Sequence, residues 1–229
     1  MNKIIAVLFG VCILFSCHQK DREVDADSLL GYDYYPLDSG RYWIYAVHVL
    51  DYNATNLDTT YQVKEVIYDT FHFTNQVFYT IYRFYREDDL SAWPIQPDSV
   101  WTVTRDANQL SIKENNIEYI RLCFPMKSGN RWDGNAKNAF GEEKYTLKNV
   151  GGSYSYDSYN YPQTVRAEES NVTSFVNKDV RNIVYAKDIG PVYKKYESLT
   201  YKSDVGSIGQ FIIEYGHIVE QKLIDYGKP

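Results

Sequence analysis

The sequence predicts an all-β protein, a curved antiparallel sheet closing into a half-barrel or open barrel, with two sequential β lobes as the variant arrangement. Three observations predict it. Aromatic residues make up 16% of the 229 positions, 23 of them Tyr, and aromatic side chains suit a pleated, half-buried surface. Short runs of alternating apolar and polar residues recur roughly every ten positions, separated by turn residues, the rhythm of a meander. No stretch of ten or more residues keeps a strong 3.6-residue period; the single helical option is the short Glu168–Val176, rich in Ser, Asn and Thr. A sheet of many strands hides its unpaired edges by curving toward closure.

In chain order, Arg41–Asp51 reads as a strand with Trp43, Tyr45, Val47 and Val49 on one face and Tyr42, Ile44, Ala46 and His48 on the other. Asn53–Thr60 reads as a loop. Tyr61–Asp69 sets Val63, Glu65 and Ile67 against Gln62, Lys64 and Val66. Gln76–Arg86 is apolar on both faces, as a central strand is. Trp93-Pro94-Ile95-Gln96-Pro97 interrupts the pattern, because proline cannot donate to a ladder. Ser99–Thr104 and Gln109–Lys113 flank an Asp106-Ala107-Asn108 turn, and Ile117–Phe124 follows. Later strands are expected at Lys144–Val150, Gln163–Glu168, Arg181–Ala186, Pro191–Tyr201, Gln210–Tyr215 and Ile218–Asp225, the last two meeting in a hairpin at Gly216-His217.

The amino terminus reads as an address. Lys3 precedes a 12-residue apolar run, Ile4–Phe15, a length that suits a signal peptide and falls short of the ~20 residues of a spanning helix. Leu14-Phe15-Ser16-Cys17 resembles a bacterial lipoprotein box. The resemblance implies cleavage after Ser16 and lipidation of Cys17; each buried CH₂ contributes ~0.8 kcal/mol to membrane attachment, so several acyl chains hold firmly. The following His18-Gln19-Lys20-Asp21-Arg22-Glu23 resembles the export signal that routes lipoproteins of Bacteroides-type bacteria to the outer face of the outer membrane, with Arg22 departing from the pattern. The expected organisation is a signal over 1–16, a polar tether over 17–33 and a β-rich domain over 34–229, with sub-lobes 34–123 and 124–229. Palmitate-type acylation and an outer-membrane location, surface-exposed in preference to periplasmic, follow from these resemblances.

The sub-lobes are suggested by a repeat. Tyr35-Pro36-Leu37-Asp38-Ser39-Gly40-Arg41-Tyr42-Trp43 returns as Phe124-Pro125-Met126-Lys127-Ser128-Gly129-Asn130-Arg131-Trp132. Each copy reads as a proline-fixed entry, a Ser-Gly turn and a Trp-bearing strand. Together with Tyr45 and the late Tyr185-Ala186-Lys187-Asp188-Ile189-Gly190-Pro191-Val192, the copies resemble a broad group of uncharacterised β-rich envelope lipoproteins of Bacteroides-type bacteria. That resemblance spans about 34–195 and implies a fold and an envelope setting, but no catalytic residue. In the late motif Gly190 suits a positive φ and Pro191 fixes the exit.

The chemistry is sparse. Net charge is −6 with no basic block, which argues against nucleic acid. His18, His48, His72 and His217 are dispersed, and no H-E-x-x-H, C-x-x-C, P-loop or G-x-S-x-G occurs, so no metal or cofactor is expected. His48 reads as a satisfied, half-buried histidine. Of three cysteines, Cys12 lies in the signal and Cys17 is the lipid acceptor, leaving Cys123 as a buried, inert thiol. The acidic runs Glu87-Asp88-Asp89, Glu142-Glu143 and Glu168-Glu169 could supply an acid–base pair for glycoside hydrolysis; solvated turns are the plainer reading. Gly151–Pro162 carries Tyr154, Tyr156, Tyr159 and Tyr161, which with Trp93 and Trp101 are the candidate ligand-contact residues. Such rings stack on sugars or anchor protein partners; folding back over the sheet is the plainer reading here too. Trp43 and Trp132 are expected in the core, each costing ~3–5 kcal/mol if truncated. Three functions stay open: a membrane-anchored envelope lipoprotein with a non-catalytic binding or structural role toward a glycan or another envelope protein, a glycan- or lipid-directed hydrolase, and a carrier with an apolar cavity. The first is preferred because no catalytic constellation is visible.

Overall fold

The computed structural model describes residues 26–53 and 57–229; the signal, Cys17 and the run after it lie outside the described residues. The chain forms one 12-stranded antiparallel sheet. Its first six strands are β1 (Tyr42–Asp51), β2 (Leu57–Phe73), β3 (Gln76–Arg86), β4 (Ser99–Arg105), β5 (Gln109–Glu114) and β6 (Ile117–Cys123). The other six are β7 (Arg131–Asp133), β8 (Lys144–Tyr156), β9 (Tyr159–Thr173), β10 (Asn177–Ala186), β11 (Gly190–Tyr201) and β12 (Ile213–Gly227). The order is β6-β5-β4-β3-β2-β1-β12-β11-β10-β9-β8-β7. Each strand therefore lies beside its sequence neighbour, β12 returns to β1, and the two sheet ends are β6 and β7. Those ends meet. The Ile120 amide donates to the Gly134 carbonyl at 2.9 Å, and the Trp132 indole N–H donates to the Ile120 carbonyl at 2.8 Å. The result is a nearly closed barrel with almost no helix, as the sequence predicts.

The two motif copies open the two runs of six strands, and they share one turn geometry. Gly40 and Gly129 have φ of +81° and +89°, where a side chain is strained. Arg41 N–H donates to the Asp38 carbonyl and Asn130 N–H to that of Lys127, both at 3.1 Å. The Gly40 amide bonds the Ile67 carbonyl and the Gly129 amide bonds that of Leu147, both at 2.8 Å. The repeated Ser-Gly thus fixes the register of β1 on β2 and of β7 on β8. Trp43 and Trp132 occupy the second residue of their strands, so each turn aims one indole inward. Trp43 is fully buried, whereas Trp132 is half-buried beside the seam.

A barrel of twelve strands encloses more volume than one of eight, whose interior side chains just fill. Here large side chains do the filling: Trp43, Tyr45, Tyr145 and Tyr185 are essentially inaccessible, each contributing ~1.5–3 kcal/mol or more by burial. The segment Ala26–Tyr35, read from its polarity mostly as linker, plugs one end. It forms α1 (Ala26–Leu30) and a 3₁₀ turn at Tyr32–Tyr34. Tyr34 and Tyr35 are buried, the Tyr32 ring meets Phe124 edge-on at 4.6 Å, and the Leu30 carbonyl accepts from the Met126 amide. Apolar and aromatic residues spaced through a polar stretch fix it to the barrel.

Several expectations need correction. The helical option over Glu168–Val176 is strand: β9 runs to Thr173, and Glu168 pairs with Asn182. Pairing with β10 continues through Ser170, Asn171, Val172 and Thr173 and fixes the segment as extended. Residues 151–161, outside the strands expected from the sequence, are the arms of the β8–β9 hairpin; Pro162 sits where the β8 register shifts and beyond the last β10 partner, so it breaks no ladder. β2 starts at Leu57, inside the expected loop. Gly216-His217 is not a hairpin, because β12 continues through it. Gly216, at φ +130°, is where the backbone of β11 comes too near for a side chain: a Cβ there would overlap the Ser198 carbonyl. Gly216→Ala is therefore expected to cost ~2 kcal/mol or more, read as a lowered midpoint in urea unfolding; an unchanged midpoint would show that β11 and β12 separate easily there.

Candidate functional site: the barrel interior and its mouth

The inward faces of the strands are not uniformly apolar. Glu65 follows Val63 and precedes Ile67 in the inward alternation of β2, and Arg83 lies opposite it on β3. Arg83 Nε donates to Glu65 Oε1 at 2.9 Å, and its guanidinium lies 3.7 Å over the Trp101 ring, a cation–π contact. Deeper in, Arg121 of β6 bridges two carboxylates. Its Nε and Nη2 donate to Glu114 Oε1 at 3.0 and 2.7 Å, and Nη1 donates to Glu169 Oε1 at 2.7 Å. The Tyr196 hydroxyl donates to the other Glu169 oxygen at 2.6 Å. Lys194 lies over the Tyr196 ring at 4.3 Å. Glu65, Glu114 and Glu169 are thus matched by Arg83, Arg121 and Lys194.

Electrostatics lock this arrangement. Burial raises the Glu114 carboxyl, but Arg121, then Lys194 and the remaining cation contacts outweigh it and hold the group below its ordinary range. Burial lowers the Lys194 ammonium below its ordinary value, with Glu114 opposing. Arg121 is raised well above the usual guanidinium value, the attraction of Tyr196, Glu169 and Glu114 exceeding its desolvation. Glu65, Glu114, Arg121 and Lys194 line a cavity of about 40 Å³ together with Tyr35, Tyr45, Trp101 and Tyr185 among others. That is space for one to a few waters. Toward the end of the barrel opposite the Ala26–Tyr35 plug, a wider concavity of about 420 Å³ opens at Tyr61, Val63, Arg83, Tyr85, Asp98 and Ser99. Tyr61 and Tyr85 pair at 5.0 Å, and the Tyr85 amide donates to Asp98 Oδ2 at 2.7 Å, which holds the rim. Arg83 belongs both to this mouth and to the ion-paired network below it.

The expected contact residues divide. Tyr154, Tyr156, Tyr159 and Tyr161 do come together, since Tyr154 pairs across the hairpin with Tyr161 and Tyr156 with Tyr159. Asn149 and Gly151, both at positive φ, and a break in register after Lys148 bend β8. The bend lays the hairpin against β11 and β12. The Tyr156 hydroxyl donates to the Leu223 carbonyl at 2.7 Å and meets the Tyr161 hydroxyl at 3.0 Å, and Tyr161 is buried. These rings cover the sheet; only Tyr159 is exposed among them. Trp93 and Trp101 lie on opposite faces. Trp101 lines the interior cavity, while Trp93 packs outside under Arg86 at 4.2 Å and near Lys64.

Of the acidic runs, Glu169 alone faces the interior network. Glu168 meets Lys148, Glu143 meets Arg181, and Asp88 accepts from the Leu90 and Ser91 amides at a turn. Cys123 is half-buried, its thiol pushed up to about 11 by burial. His48 contacts Asp58 at 2.8 Å on the outer face. The sequence reasoning did not single out Glu65, Arg83, Glu114, Arg121 or Lys194. The signal was present for Glu65, a carboxylate between two inward aliphatics.

No family model matches the chain, and no curated protein does. Among solved structures, a candidate exported protein with a YmcC-like fold from Bacteroides fragilis aligns at a TM-score of 0.41 and 11% identity, over 85% of this chain and 98% of that one. At that distance the likeness carries no argument about this chain.

Proposed function

We propose that the protein is a lipid-anchored envelope protein of the outer membrane, facing outward, whose barrel binds a ligand at its mouth without transforming it. The observation that carries this reading is the ion-paired network beneath the mouth. Glycoside hydrolysis needs one carboxyl kept protonated as an acid; Glu114 is held ionised, and both it and Glu169 are bound to Arg121. A carrier needs an apolar chamber of a few hundred Å³; the interior space is about 40 Å³, with Glu65, Glu114, Arg121 and Lys194 in its lining. The mouth retains the aromatic faces, arginine and hydroxyls that suit a small polar ligand such as a glycan end.

One experiment tests both halves. Cys17→Ala is expected to move the protein from the membrane to the soluble fraction. The released protein is expected to retain a ligand from a glycan screen that Cys17→Ala/Tyr85→Ala loses by ~tenfold, the worth of one aromatic contact. Unchanged fractionation would sink the anchor; a screen without hits, or hits indifferent to Tyr85, would sink the mouth.

A further inference from the structure

We propose a second binding site, a groove on the outer face of β2–β6 that takes an acidic oligosaccharide. It shares no residue with the mouth and does not depend on that reading. Two adjoining concavities of about 360 Å³ each share Lys113, Glu118 and Lys137, and each falls within the ~300–1,000 Å³ of small-molecule sites. An aromatic platform stands at either end. At one, Phe71 and Phe78 stack at 5.0 Å with their planes 8° apart, and Phe71 stays 45% exposed. At the other, Phe140 is 55% exposed. Such partly exposed rings offer faces to the C–H side of a sugar.

Between the platforms the lining is polar. Thr102, Lys113 and Glu118 form one row across β4, β5 and β6 by direct pairing, and Thr104 lies beside Phe78. Hydroxyls and ammonium groups at this spacing suit ring hydroxyls. Charge selects the class. Lys137 pairs with Glu118 at 3.0 Å, while Lys113 is exposed and has no carboxylate within 4.0 Å among the described residues. The groove therefore carries an unmatched positive charge on a chain whose net charge is −6, which favours a uronate or sulfate group at the centre. A peptide is the less favoured occupant. β3, β4 and β5 are each paired on both sides, and on the outer side of β6 the Ile120 amide bonds the Gly134 carbonyl and the Glu118 carbonyl accepts from the Asn138 side chain, which leaves little strand edge for main-chain bonding.

The test uses the soluble Cys17→Ala chain and calorimetric or array binding of tetragalacturonate, tetraguluronate and a heparin tetrasaccharide, with cellotetraose and hexaglutamate as comparisons. Binding of at least one acidic sugar is expected, falling ~fivefold in Lys113→Gln and ~tenfold in Phe71→Ala, the usual scale of one exposed ion pair and one aromatic contact. Both positions probed are exposed, and the variants are expected to melt with the parent. The proposal is overturned if no acidic sugar binds, if Lys113→Gln binds as the parent does, or if cellotetraose or hexaglutamate binds as tightly as the best acidic sugar.

Discussion

Truncating Trp43 to Ala is expected to lower unfolding free energy by ~3–5 kcal/mol, the scale of a large aromatic lost from a core. Three contacts converge on this ring. Its N–H donates to the Ile189 carbonyl at 2.6 Å, Gly190 leaves room for it, since a Cβ there would stand 3.0 Å from the indole, and Tyr35 lies 5.7 Å away. The adjacent Tyr45 hydroxyl donates to the Pro191 carbonyl at 3.1 Å. Truncation therefore opens a void and also leaves the part-buried Ile189 carbonyl without its donor. Trp132→Ala is expected to cost less than Trp43→Ala, because its ring is half-buried. Urea unfolding of both variants checks the order. Equal losses would mean that the seam is as tightly packed as the centre, and a near-parental Trp43→Ala would remove the first motif from the core.

Replacing Arg121 by Met is the second large effect, again ~3–5 kcal/mol, because it leaves the buried Glu169 and the largely covered Glu114 without the cation that bridges them. The pH response should reverse as well. In the parent, the depressed Glu114 carboxyl contributes stability that is fully present above the unfolded value of ~4.3 and is lost as pH falls through its lower folded value. In Arg121→Met, burial pushes that carboxyl up with less to oppose it. The penalty is then largest at neutral pH and shrinks as pH falls through the raised value. Unfolding at pH 7 and pH 5 reads this directly: the gap between variant and parent should narrow at pH 5. A gap that is constant, or below ~1 kcal/mol at both, would mean that water reaches the carboxylates. Replacing all three ions by apolar residues of similar volume should recover most of the loss, since the pair costs desolvation that an apolar core does not.

The strand boundaries show which signals are local. Gln76–Arg86 is legible to the residue because an apolar run on both faces, bounded by Asn75 and Glu87, is a property of the segment alone. The inward set Trp43, Tyr45 and Val47 is legible for the same reason. Gly216 was misread because a glycine in an apolar context marks a turn or a close backbone approach equally well, and the neighbour that decides between them, Ser198, lies on another strand. For the tyrosines of the β8–β9 hairpin the sequence left two readings, a ligand surface and a cover for the sheet, because their exposure depends on a bend at Asn149–Gly151 and on what lies beneath it.

By itself the sequence determined the all-β class, the strand rhythm, the paired Ser-Gly corners and the inward tryptophans, all of which follow from side-chain period and backbone steric limits within a few residues. The tertiary structure alone decided that β12 returns to β1, that β6 meets β7, and that Arg121 of one half of the chain bridges Glu114 to Glu169 of the other. The reason is that charge inside a barrel is stable only beside its counter-charge. The partners here are 7 and 48 residues apart, and the longer of those separations is set by closure of the sheet, not by any local pattern.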